Sequence, residues 1–268
     1  MTINGLTWDN TGDHFYNTGI DGVALYVFDK DTNWYGVANA WSGVTAVNES
    51  PSGAESNKQY ADNIEYLNLL SKEEFGLTLE AFQVPVAFDE CDGILPLASG
   101  RLKVRGQGRK SFGLVYRVQK GSDTVEAGGA VNASAGVPQD DEDGSGEGYI
   151  YHIVYGCKAA PSSRDFGTVN DSPEAQTFSY EITCTDLTDS SKISVDGSTT
   201  ISDLSGVTRL CHIEVDSSKL TKDQLDALMA ILYGTVDTSG TTPVLVPAEA
   251  MPTPAEIYTA CATTSSNG

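Results

Sequence analysis

Short runs in which apolar and polar residues alternate, cut by Gly, Asp and Asn, recur along this whole chain. A run of that kind can bury a coherent face only as a strand. In "TFSYEITC" (residues 177–184), Phe178, Tyr180, Ile182 and Cys184 alternate with Ser179, Glu181 and Thr183, the pattern of a sheet with one face on a core and one in water. "FGLTLEAFQV" (75–84) sets Phe75, Leu77, Leu79 and Ala81 against Thr78 and Glu80, so one face of that strand is expected to be buried. The same strand character appears in "GVALYVF" (22–28), "WYGVANA" (34–40), "GVTAVN" (43–48), "NIEYLNLL" (63–70), "SFGLVYRVQ" (111–119), "YIYHIVYG" (149–156) and "VTRLCHIEV" (207–215). The expected class is therefore mainly β and antiparallel. "VNESP" (47–51) and "VNDSP" (169–173) hint at similarity between the halves, although turns favour Asn, Asp, Ser and Pro in any case.

One segment breaks the rule. In "LTKDQLDALMAILYG", Thr221 and Gln224 have capping-box spacing, and Leu225, Leu228, Met229 and Leu232 fall on one helical face. Gly234 supplies the stop. A helix from about Thr221 to Tyr233, packed on a sheet face, is expected. With 268 residues and 40% hydrophobic content the chain can fill a sizeable core, read here as one domain over 1–268.

Composition excludes several functions. There are 37 acidic against 16 basic residues, a formal charge of −21, which disfavours gripping nucleic acid or an anionic membrane surface. Cys91, Cys157, Cys184, Cys211 and Cys261 are scattered with no CxxC, arguing for free thiols, not a disulfide framework or zinc knuckle. The N-terminal stretch has neither a basic nor an apolar signal region, and no apolar run reaches membrane-spanning length, so cytoplasmic folding without a membrane anchor is expected. The sequons at Asn48, Asn132 and Asn170 then carry little meaning.

No catalytic constellation emerges. The acidic run "DDEDGSGEG" holds Asp140, Asp141, Glu142, Asp143 and Glu147, and its only calcium-loop reading places Asp141 and Asp143 as ligands. With Gly144 at the sixth position, Gln139 falls first and Ile150 twelfth, so the bidentate glutamate is missing. "FDECDG" (88–93) offers Asp89, Glu90 and Asp92, read as acids near the start of a short helical turn after Pro85. The histidines are His14, His152 and His212; the last two lie in strand-patterned runs and read as structural side chains. There is no G-x-S-x-G elbow and no P-loop, and "GQGRKSFG" (106–113) reads as a basic turn entering a strand. No catalytic, metal or cofactor-binding residue is expected, and a metal-dependent hydrolase built on the acidic loops is disfavoured.

Several segments in order resemble the major tail protein, or tail tube protein, of long-tailed phages and prophages with non-contractile tails. They are "TWDNTGDHFYNTGIDGVALYV", "WSGVTAVNESPSGAE", "YADNIEYLNLLSKEEFGLTLEAF", "FDECDG", "GRKSFGLVYR", "YHIVYGCKAAPSSRDFGTVNDSPEAQTFSYE" and "ILYGT", running from Thr7 to Thr235. The resemblance implies an antiparallel β-sandwich or barrel-like fold with a flanking helix, and hexameric rings that stack into a hollow tube for genome DNA. It implies a structural virion protein, not an enzyme, with no cofactor, assembled in the host cytoplasm. Its partners would be other copies of itself and tail proteins such as the tape measure, tail terminator and distal tail protein. DNA would pass through the lumen without specific binding, as acidic surface allows. By the same analogy, the segment holding Glu49, Ser50, Pro51, Glu55, Tyr60 and Asp62 is a candidate for contacts between subunits or rings. The competing reading is a β-sandwich binding or adhesin module at a surface.

Two departures from that pattern stand out. Residues 121–148 form a 28-residue insertion with seven glycines, seven acids and no Lys or Arg, expected to be a mobile acidic arm. A polar tail is expected from about residue 259.

Overall fold

The computed structural model describes residues 2–3, 6–7, 14–122, 148–162, 168, 175–239 and 243–262. The 121–148 insertion, with Asp140, Asp141, Glu142, Asp143 and Glu147, and the expectation of a mobile acidic arm there lie almost wholly outside the described residues, as does "VNDSP". In chain order the strands open with β1 (Thr2–Ile3), β2 (Leu6–Thr7), β3 (Phe15–Asp29), β4 (Trp34–Ala40), β5 (Val44–Glu49), β6 (Ser56–Ala61), β7 (Ile64–Leu70) and β8 (Gly76–Ala81). There follow β9 (Ile94–Leu97), β10 (Leu102–Arg105), β11 (Phe112–Ser122), β12 (Tyr149–Ala159), β13 (Phe178–Cys184), β14 (Val195–Asp196), β15 (Thr199–Thr200), β16 (His212–Asp216), β17 (Gly234–Asp237) and β18 (Val244–Pro247). The helices are α1 (Ser190–Ile193), α2 (Lys222–Tyr233) and α3 (Pro254–Ala262). The molecule is mainly β and its strand pairs are antiparallel, as the alternation requires.

Eight strands form the principal sheet in the order β4-β3-β11-β12-β13-β8-β5, with β16 as a branch on β12. Strand β12 is the trunk of a fork. One edge pairs with β11; the other pairs with β16 over Ile150 to Val154 and with β13 over Cys157 to Ala159. Gly156 sits at the fork with φ of 67°, and a Cβ there would lie 2.0 Å from the Thr185 carbonyl oxygen, so only glycine fits. The sheet curls until β5 lies beside β3. Its inner face packs Leu25, Leu77, Leu79, Leu114, Val154, Tyr180 and Ile182 into one core with Trp41 and Phe88. In β8 the alternation is realised residue for residue, with Leu77, Leu79 and Ala81 buried between half-buried neighbours.

The outer face is covered by helices. Leu225, Leu228 and Leu232 of α2 meet Tyr26, Val115, Tyr151, Ile153 and Tyr155 in a second core. The capping box closes as expected, Thr221 N–H donating to Gln224 Oε1 at 2.8 Å and Gln224 N–H to Thr221 Oγ1 at 3.4 Å. Two buried tyrosine hydroxyls tie the sheet to backbone carbonyls in and after α2: Tyr26 donates to the Leu232 carbonyl, and Tyr155 to the Pro252 carbonyl at 2.9 Å.

Three sequence readings need correction. The polar tail does not start near residue 259, because α3 runs to Ala262 with Ala255 and Ile257 buried. "TPAE" is a capping box with Pro at the first helical position: Thr253 N–H donates to Glu256 Oε2 at 2.7 Å and Glu256 N–H to Thr253 Oγ1 at 3.2 Å. The turn after Pro85 is a 3-10 turn, Val86–Phe88, with its acids after it instead of at its start. Buried Asp89 and Asp92 there pair with Lys103 at 2.6 Å and Arg105 at 3.8 Å, which holds the 94–105 hairpin against the inner core, and Asp92 also meets Arg109 at 3.4 Å. "VTRLCHIEV" is a strand only from His212 onward, preceded by a single bridge at Leu210.

Candidate functional site

Between β5 and β8 the chain leaves the sheet as a hairpin arm. Strands β6 and β7 pair with each other alone, joined by Asp62 and Asn63 with φ of 50° and 62°. Two successive residues at positive φ are what a tight two-residue hairpin turn with the twist of its strands demands, and Asp and Asn tolerate them. Every residue of β6 and β7 is exposed. The register shifts at Tyr66, and cross-strand pairing then puts Ile64, Leu67 and Leu69 on one face of the arm and Tyr60 and Leu70 on the other, so both faces carry large apolar side chains. Tyr60 on β6 is 67% exposed and Leu70 73%.

The six residues singled out for contacts between copies divide unevenly. Ser50 and Pro51 lie at the arm's root, where Ser50 N–H donates to the Gly76 carbonyl at 2.8 Å. Glu55 lies along the stem, its N–H donating to Ser71 Oγ at 2.8 Å. Tyr60 and Asp62 lie at the outer end. Half of the segment from Glu49 to Asp62 is therefore strand. The missed signal was "DN", a two-residue turn between "SNKQYA" and "IEYLNLL".

Glu49, the last residue of β5, belongs elsewhere. It joins His152 of β12 and His212 and Glu214 of β16 in a cluster whose nearest ligand atoms all lie within 4.8 Å of one another. The fork explains the meeting. Cross-strand register sets His152 opposite both Tyr116 and Glu214, and Val154 opposite His212, while the curl of the sheet brings in the end of β5. His152 Nδ1 lies 3.0 Å from His212 Nε2 and 3.2 Å from Glu49 Oε1, and Tyr116 donates to the same Glu49 oxygen at 2.6 Å. Aromatic walls fix both imidazoles: Tyr116 stacks on His152 at 4.7 Å and 5°, and Phe75 covers His212 at 4.6 Å.

The hydrogen bond from His152 holds the Glu49 carboxyl down to about 2, with Tyr116 reinforcing it against the opposing effect of burial. Burial, aided by neighbouring His152, depresses His212 below its ordinary value. Tyr116 is driven up by burial and by the Glu49 carboxylate it faces. Such an array of two imidazoles and two carboxylates can hold a proton network or a divalent cation. Reading each histidine singly as a structural side chain missed the cluster, because no local motif brings together residues 60 or more positions apart.

Other candidates resolve differently. Asp89, Glu90 and Asp92 each meet a Lys or Arg and do not converge on an open site. The five cysteines are free, with Cys157 Sγ 3.6 Å from Cys184 Sγ on paired strands, and burial pushes the Cys157 thiol well above its ordinary value. Among the described residues no helix is long and apolar enough to cross a membrane. No protein-family model matches the chain, and no curated protein matches it.

Proposed function

We propose that this protein is a structural subunit that assembles with copies of itself through the β6–β7 arm, as a tail tube subunit of stacked hexameric rings would. The observation that carries the reading is the arm itself. A two-stranded hairpin standing alone is marginal in water, and contiguous apolar side chains on both of its faces mark a surface built to be covered. A second copy is the partner that always accompanies the chain, and an arm seated on a different patch of the next subunit gives a head-to-tail contact that propagates. Two smaller hairpins add apolar residues at the periphery, Leu95, Leu97, Leu102 and Val104 on β9–β10 and Val236, Val244, Leu245 and Val246 on β17–β18. The charge of −21 suits a conduit that DNA traverses without adhering, and it sets a condition on assembly. Copies repel at low ionic strength, so raising salt to about 0.15 M or above, where the screening length is about 8 Å, should promote association.

Negative-stain microscopy and light scattering of the purified protein across concentration and salt test this reading. Rings or tubes of hexamer scale are expected. A protein that stays monomeric at every concentration and salt, with or without other tail proteins, overturns it.

A further inference from the structure

The Glu49, His152, His212 and Glu214 cluster stands apart from the apolar surfaces that the assembly reading uses, and it has its own chemistry. We infer that these four side chains form a binding site for a divalent transition metal of the zinc class, placed where the arm's root meets the fork of the sheet.

Three features converge on that assignment. The donor set is two imidazole nitrogens and two carboxylates, the mixed N/O set that zinc-class ions take; calcium prefers six to eight oxygens. Two carboxylates and two neutral imidazoles also balance a +2 ion, whereas without one they leave net negative charge in a chain already at −21. The spacing fits as well. Metal–ligand lengths of about 2.0–2.2 Å in a tetrahedron separate donor atoms by about 3.3–3.6 Å. His152 Nδ1 lies 3.2 Å from Glu49 Oε1 and 3.0 Å from His212 Nε2, and all four ligand atoms lie within 4.8 Å of one another, so the close pairs open by a few tenths of an ångström and the wider ones close by about 1 Å at most to admit the ion. His152 then ligates through Nδ1, with its ring proton on Nε2.

The surroundings prepare the site. Tyr116 and Phe75 hold the two rings by stacking, and the Tyr116 hydroxyl orients Glu49, the supporting contact that ligating carboxylates usually require. Glu49 and Glu214 are exposed and the histidines half-buried, which leaves the ion a path from solvent. Four protein ligands complete a tetrahedron, so the role is structural. Glu49 ends the strand leading into the arm, so the ion would fasten that foot to β12 and β16, while Phe75, immediately before β8 where the chain returns to the sheet, packs on the ligand ring of His212.

The test uses tag-free, chelator-treated full-length protein, titrated with Co²⁺ by visible absorption and with Zn²⁺ by calorimetry. One equivalent of Co²⁺ should develop the intense d–d band of a tetrahedral site, and Zn²⁺ should displace it. Glu214→Gln and His212→Gln should abolish the band, and Tyr116→Phe should weaken Zn²⁺ binding by about 10–100-fold. Far-UV circular dichroism checks that each variant folds; if His212→Gln does not, the exposed Glu214 position decides. Absence of saturable binding at one equivalent overturns the site. So does binding unchanged by Glu214→Gln, which would put the ion elsewhere.

Discussion

Leu228 and Leu67 are both leucines in strongly patterned segments, yet the first is 0% exposed and the second 50%. Leu228 sits on α2, whose apolar face is covered by the tyrosine-rich outer side of β3, β11 and β12. Leu67 sits on β7, a strand with the same kind of pattern as β8, but on neither face of β7 does a described element of this chain cover it. The contrast separates two uses of apolar sequence. The outer face of the sheet is completed within one molecule, by α2, by α3 and by the Met251 side chain lodged over Gly113, where a Cβ would lie 2.1 Å from its sulfur. No described element of the chain completes the arm in that way.

If that division is right, the two regions should respond oppositely to truncation. The largest loss of stability is expected from Leu228→Ala, about 2–5 kcal/mol for emptying a fully buried leucine site. Equilibrium denaturant melts measure it, and the variant should still associate wherever it remains folded. A loss below about 1 kcal/mol would mean that the helix face is not the closed layer described. Next comes the helix's start: Thr221→Ala removes the acceptor for Gln224 N–H and should cost about 1 kcal/mol, again without effect on association.

The division also explains what was readable in the sequence. Burial of one face in β8 and β13, the α2 cap and its leucine face follow from local period and spacing, and each is found in place. Helix α3 was equally local, in "TPAE", but its short length and polar flank hid it. The arm's strand was legible but its exposure was not, because alternation reports strand character and not whether a core exists to receive the strand. "IEYLNLL" carries no mark of its exposure except apolar residues at both parities, Ile64, Tyr66 and Leu70 against Leu67 and Leu69. The metal-type cluster lies at the far limit of legibility. It depends on the register of β12 against β16 and on the curl that returns β5, which are properties of the closed sheet and of no single segment.

The smallest expected stability change is the most discriminating. Replacing Leu67 and Leu69 together by Thr keeps strand propensity while removing apolar surface from one face of β7. Both side chains are at least half exposed, at 50% and 54%, so the double variant should unfold within about 0.5 kcal/mol of the parent. The cross-strand pairs Gln59 with Leu67 and Asn57 with Leu69 retain their backbone partners, so the arm itself should persist. Association should nevertheless fail, seen as loss of rings or tubes and a monomeric mass in light scattering under conditions that assemble the parent. A destabilisation above about 1 kcal/mol would show that these leucines are buried by the chain's own residues after all. Unchanged assembly would show that this face of the arm is not the joint, and would move the contact to Tyr60 and Leu70, where Leu70→Ser repeats the test on the opposite face.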